Sequence, residues 1–262
     1  MPKTSAITNQ REQEILHEIR LAGGSCRIGF LAKKLKVSDE TIRRNIKSLE
    51  SSALVKKVHG GVSLIGEVSV IEPPFQSRME NHADEKKHLA AQVAGMIENG
   101  DSVFMDVGST TAYVAQALQN HQNLYVVTNS IAVAHILTSR NNNRVFMAGG
   151  ELRAHDGGAF GHDALSFVRR FTVRYAILSM GAISAKGGFM VHDLEEADIA
   201  CDIVERAQMS IAVVDSSKFG KRCPISLRKV KDIDMLVTDS MPDERIQQML
   251  KQNEIGLQVH EV

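Results

Sequence analysis

The sequence has no surplus of charge, with 31 Lys and Arg against 31 Asp and Glu. Taken whole, that balance argues against a nucleic-acid partner. Cysteine is scarce. Cys26, Cys201 and Cys223 stand far apart with no CxxC pair, which excludes a disulfide framework and fits reduced thiols in a cytoplasm. His155, His162 and His192 each neighbour an aspartate, but no HExxH or other metal-ligand spacing is present, so neither a metal nor a cofactor is expected. There is no leader-like segment and no apolar run of membrane-spanning length, so a soluble, unexported chain without a membrane partner is expected. Internal repeats and low-complexity tracts are absent as well.

What is present is globular: 43% hydrophobic and 24% charged residues over 262 positions, a length comfortable for two domains. The neutral total hides a division. Residues 1–66 hold 12 Lys and Arg against 6 Asp and Glu, whereas the remainder hold 19 against 25. A module of +6 attached to a body of −6 restores the nucleic-acid reading for the first part.

That module is organised around Val37 to Glu50. Ser38 is a good N-cap, and Asp39 and Glu40 complement the helix dipole. Ile42, Ile46 and Leu49 recur at helical spacing on one stripe. The opposite face carries Arg44, Lys47 and Ser48, flanked by Thr41 and Arg43. An apolar back and a cationic, hydroxyl-bearing front suit the major groove of double-stranded DNA; a solvated amphipathic helix would look similar. The neighbours decide between them. Helices are predicted from Arg11 to Leu21 and from Arg27 to Leu35, with Lys36-Val37 as the tight connection. Residues 54–58 and 62–65 read as strands around His59-Gly60-Gly61, a hairpin that brings Lys56, Lys57 and His59 towards phosphates. The sum is a winged helix-turn-helix.

The run TIRRNIKSLESSALVKKVHGG (41–61) resembles the signature of the DeoR family of bacterial transcriptional repressors. The resemblance implies DNA contacts from Ser38, Thr41, Arg43, Arg44, Lys47, Ser48, Lys56, Lys57 and His59. The chain departs from the family at Asn45, where Asp is usual, and at Lys57, where Arg is common.

After a linker expected over residues 67–83, marked by Pro73-Pro74, a helix is predicted over 84–99. From there to residue 262 short apolar runs alternate with helical stretches, with runs at 103–105, 124–127, 145–147, 175–178, 211–214 and 235–237. Continuous apolar runs describe strands buried on both faces, hence an α/β domain with a mostly parallel sheet. Strand exits in such a sheet are where ligands bind. The first exit reads Asp106-Val107-Gly108-Ser109-Thr110-Thr111 and opens a helix, whose amides and hydroxyls suit a phosphate, although a plain capped turn would look the same.

These exits resemble the effector domain of the DeoR family, which is similar in fold to ribose-5-phosphate isomerase. The resemblance implies a site for a phosphorylated sugar or polyol that includes Asp106, with Gly108, Ser109, Thr110 and Thr111 around the phosphate and Asn129 lining it. Gly149, Gly150, Glu151, Arg153 and Asp156 would form another wall, and Lys218 would supply a cation. The stretch AGGELRAHDGG (148–158) resembles members that govern glycerol-3-phosphate metabolism. Ser184 stands where the family often has Asp. A repressor released by its effector, acting as a dimer or tetramer on paired half-sites, is therefore expected. A sugar-phosphate isomerase fused to a DNA-binding module would need a general base; Asp106, Asp193 and Lys218 are the candidates by elimination. An activator would carry the same two domains.

Overall fold

The computed structural model describes residues 9–22, 24–58, 61–65, 72–228 and 232–261. The chain divides into two compact units, Met1–Pro73 and Pro74–Val262. No helix among the described residues is long and apolar enough to cross a membrane.

In the first unit α1 (Gln10–Leu21) begins with a capping box, in which Asn9 accepts from the Glu12 amide and Glu12 reaches back to the Asn9 amide. A short strand, β1 (Ser25–Arg27), then precedes α2 (Ile28–Leu35). Helix α2 stops because Lys36 turns into the left-handed region, φ 53°, and Val37 N–H closes back on the Ala32 carbonyl at 3.0 Å. The next helix, α3 (Asp39–Ser51), is capped by Ser38, whose hydroxyl accepts from the Thr41 amide at 3.2 Å. Ile42, Ile46 and Leu49 are its buried stripe, packed with Ile15, Ile19, Leu31, Val55 and Val62. Each such side chain contributes about 1.5–3 kcal/mol by leaving water. Strands β2 (Val55–Val58) and β3 (Gly61–Leu64) form the wing, and β1 adds antiparallel to β3. Strand β1 was not expected from sequence. Its closeness explains Gly61, where a Cβ would stand 2.5 Å from the Cys26 carbonyl oxygen. His59 lies outside the described residues.

The second unit runs α4 (Phe75–Glu80), α5 (Ala83–Ala94), β4 (Ser102–Met105), α6 (Ser109–Ala117), β5 (Tyr125–Thr128), α7 (Ile131–Leu137), β6 (Arg144–Met147), α8 (Gly161–Val168) and β7 (Val173–Ser179). It continues with β8 (Ala182–Ser184), β9 (Gly188–Val191), α9 (Leu194–Val204), β10 (Ala207–Val213), β11 (Ile225–Ser226), β12 (Met235–Thr238), α10 (Glu244–Gln252) and β13 (Gly256–Val259). Seven strands form one sheet in the order β13-β12-β10-β7-β4-β5-β6, with every neighbouring pair parallel. Successive strand residues point to opposite faces. Phe104, Ala176, Leu178 and Ala212 therefore pack under α8, α9 and α10, whereas Val103, Met105, Ile177 and Val213 pack under α5, α6 and α7.

Two parts of the sequence reading change. Residues 75–83, expected as linker, form α4 and the start of α5, with Arg78 buried. The helix predicted over 84–99 ends at Ala94. A small antiparallel sheet, β11-β9-β8, and the edge strand β13 were unforeseen. The order places a reversal between β4 and β7: β5 and β6 lie on one side of β4, and β7, β10, β12 and β13 on the other. Ligands of open parallel sheets bind beyond the strand ends at such a reversal.

Candidate DNA-binding surface and ligand site

On α3, Arg43, Arg44, Lys47 and Ser48 are exposed and Thr41 is half-buried. Arg43, Arg44 and Lys47 line a cleft that Lys57 and Val58 of the wing close from the other side, with Glu40 among them. Lys56 is exposed on β2. Several of these side chains are engaged within the unit, among them Ser38 and Thr41, whose hydroxyls lie 3.0 Å apart. The Lys57 ammonium lies 3.1 Å from the Glu50 carboxylate, and the Lys57 amide donates to the same group at 3.1 Å. These two contacts are the leading causes that hold the Glu50 carboxyl below its ordinary value. Asn45 donates its side-chain amide to the Thr41 carbonyl at 2.8 Å. A carboxylate at that position could not make this bond, so the departure at Asn45 gives the helix an internal hydrogen bond.

In the second unit the strand ends converge on the β4–β7 seam. Asp106, just past β4, accepts from the Ser179 amide at 2.9 Å and from its hydroxyl at 3.2 Å. Burial pushes the Asp106 carboxyl up to about 7 against those hydrogen bonds. Gly108 caps α6 in extended conformation, and a Cβ there would overlap the Ser179 side chain. The Thr111 hydroxyl donates to the Asp106 and Gly108 carbonyls, both at 3.0 Å, and so belongs to the turn itself. Ser109 and Thr110 are buried in the first turn of α6, whose leading amides have no partners within the helix.

Asn129, past β5, donates to the Ala159 carbonyl at 3.1 Å. Its Oδ1 is buried without a hydrogen-bond partner among the described residues. The 152–159 hairpin packs there: Ile131 N–H reaches Gly157 O, and a Cβ on Gly158 would stand 2.8 Å from the Val107 side chain. Asp156 is buried and accepts from the Gly158 amide at 2.9 Å. Gly149, Gly150 and Glu151 are exposed. Arg153 turns to α9, where its guanidinium lies 3.2 Å from Glu196 and 3.5 Å from Asp193, and it stacks 3.6 Å over the Phe160 ring. Arg153 is thus engaged with carboxylates and an aromatic face.

Past β10, Asp215 accepts from the Ser217 amide at 3.2 Å and leaves Oδ2 buried with no hydrogen-bond partner among the described residues. Burial alone would raise its pKa, but Lys218, Lys86 and His82 more than offset that and hold it down at about 2. Lys86 is 3% exposed, and its ammonium donates to the Arg78 carbonyl at 2.6 Å and the Asn81 carbonyl at 2.8 Å. Burial lowers it to about 8, and it feels Asp215, Lys218 and Arg78. Arg78 in turn bears electrostatically on Asp106. Buried Arg78 and Lys86 and the half-buried Lys218 thus act on one another and on the carboxylates at the strand ends. Neither Arg78 nor Lys86 was named from sequence. Lys86 had left a signal, since it falls on the stripe of Leu89, Ala90 and Val93; Arg78, inside the apparent linker, left none.

Comparison with known proteins agrees with both units. Residues 11–68 match the DeoR-like helix-turn-helix domain, and residues 81–240 match the DeoR C terminal sensor domain. The glycerol-3-phosphate regulon repressor of Escherichia coli (strain K12) is 34% identical over 87% of this chain and 90% of its own. The HTH-type transcriptional repressor CsqR of the same organism is 34% identical over 98% of this chain and 97% of its own. Among solved structures, a D-ribose-5-phosphate isomerase in complex with phospho-erythronic acid aligns over 52% of this chain and 54% of its own. Its TM-score is 0.39 at 15% identity, a likeness too slight to argue from.

Proposed function

Because this chain belongs to the DeoR family, we propose that it is a transcriptional repressor whose operator complex is released by a phosphorylated polyol or sugar. The relatives named above are repressors, which supports a regulator over an enzyme. In this reading α3 enters the major groove, with Arg43, Arg44, Lys47, Thr41 and Ser48 towards base edges and phosphates, and Ser38 fixes the helix entrance. Lys56, Lys57 and His59 carry the wing to the backbone. Two copies of the chain on paired half-sites supply operator affinity that one winged helix lacks.

The observation that carries the effector reading is that α6 opens past β4 beside Asp106, on which Arg78 bears electrostatically, while Lys86 and Lys218 bear on Asp215 past β10, the strand beside β7. A helix N-terminus and three cations answer a dianionic phosphate. The Asn129 and Asp215 oxygens that accept no hydrogen bond among the described residues answer hydroxyl donors, so a small hydroxylated phosphate suits the site. Gly149, Gly150, Glu151 and Asp156 form the outer wall, and Arg153 positions that wall through α9. Glycerol-3-phosphate fits this chemistry and is the effector of first choice. In a thermal-shift series a phosphorylated polyol at a hundred times its dissociation constant should stabilise the fold by about 2.7 kcal/mol. Free glycerol should do nothing, and the stabilising compound should release preformed operator complex. If no phosphorylated compound stabilised the protein or released DNA, the reading would fail.

A further inference from the structure

Cys223 is a group that phosphate sensing does not use. It is 7% exposed, and its Sγ lies 3.5 Å from Nε2 and 3.9 Å from Nδ1 of His192, the residue after β9. Gly181 makes room for the pair, since a Cβ there would stand 2.7 Å from Sγ and 2.9 Å from the imidazole Cε1. The imidazole is neutral: burial first, then Lys218, Arg78 and Lys221, hold it down at about 3. A neutral imidazole can donate N–H to a thiolate. The cations that repel an imidazolium also stabilise negative charge gathering on an attacking sulfur. Cys201 is the natural contrast. It is less buried, and its groove sets Asp198, Asp202, Glu205 and Asp232 against Arg169 and Arg228, which pair with Asp202 and Asp198; the acidic excess opposes a thiolate.

We propose that Cys223 is a modification site, oxidised by hydrogen peroxide to a sulfenic acid beside the effector pocket, so that oxidation interferes with induction. The thiol gives its proton to water, and the thiolate attacks one peroxide oxygen. The S–O bond forms as the O–O bond breaks, and the departing hydroxide takes a proton from water. Sulfur is oxidised by two electrons, and the peroxide is reduced to water. His192 positions and solvates the thiolate and takes no proton. The new oxygen has no room on the Gly181 side. It must displace His192, on which Lys218 and Arg78, the cations assigned to the effector phosphate, bear electrostatically; this coupling rests on the effector reading above.

The test uses the full-length protein with peroxide and dimedone, which traps sulfenic acids, and mass spectrometry of the Cys26, Cys201 and Cys223 peptides. In the wild type Cys223 should be trapped about tenfold faster than Cys201. Equal or faster trapping of Cys201 overturns the proposal without any variant. His192→Leu should slow trapping, and His192→Gln, which keeps an N–H donor, should restore part of the rate; identical rates in both would overturn the role of His192. Lys221→Met should slow trapping through charge alone. Glycerol-3-phosphate or inorganic phosphate should protect Cys223. If trapping stands but neither ligand protects, the coupling and the effector placement fall, while the thiol chemistry is established.

Discussion

Arg44 is exposed on the α3 face that lines the cleft, and an arginine there can pair bidentately with a guanine edge. Arg44→Ala is expected to lower operator affinity by about 1–3 kcal/mol and to relax base preference, measured by titrating operator and mismatched duplexes. Lys57 differs because Glu50 already holds it. Lys57→Ala should weaken all sequences alike and flatten the salt dependence, whereas Glu50→Gln should release the lysine and tighten non-specific binding. At the seam, Lys218→Met removes a cation and keeps much of the stem. The expected protein is folded, binds operator and needs about tenfold or more effector for release, with Thr110→Val a milder version. Two pKa shifts set a pH dependence of the same sign. Lys86, lowered to about 8, loses its charge as pH rises through that value. Asp106, raised to about 7, gains a negative charge over the preceding range. Both changes oppose a phosphate dianion, so calorimetric effector affinity should fall between about pH 7 and 9. Because folded Asp106 binds its proton more tightly than the unfolded chain, its contribution to stability also falls as pH rises from its ordinary carboxylate range to about 7.

At the scale of elements, legibility followed the strength of the repeating signal. Helix α3 announced itself through Ser38 and the Ile42–Ile46–Leu49 stripe, and the six sheet strands other than β13 through unbroken apolar runs. Strand β1 spans three residues, too short for a period to show, and it is held by register against β3. Helix α4 hid behind Pro73-Pro74, read as a breaker. Proline at a helix entrance forfeits no intrahelical hydrogen bond, and Pro74 is the α4 N-cap. Of the proposed ligand site, the strand exits were legible because glycines and hydroxyls mark them. The cations that α4 and α5 supply were not, because only the fold buries residues 78 and 86 within electrostatic reach of Asp106 and Asp215. The β4–α6 turn gives an element-level prediction. Gly108→Ala must push Ser179 away from Asp106, so it should cost about 1–3 kcal/mol of stability and blunt the effector response, measured by denaturant melts and operator release.

For the whole molecule, the division of charge survives as a division of structure, with the basic sequence in a unit that has its own hydrophobic core. A fragment of residues 74–262, which contains both cores of the sheet, is therefore expected to fold alone and to match the full chain in its calorimetric response to the proposed effector, glycerol-3-phosphate. The strand order also has a consequence in time. The seam pairs β4 with β7 through Val103 and Tyr175, about 70 residues apart in the chain, whereas the winged helix closes through local contacts. Long-range parallel pairing forms slowly, and N-terminal domains emerge first during synthesis. A newly made chain should therefore own a finished DNA-reading surface before the seam proposed to sense the metabolite exists. Pulsed hydrogen exchange during refolding should find the α1–α3 amides protected before those of β4 and β7. Each young molecule would pass through an interval of deafness, in which it can be silenced by nothing but its own completion.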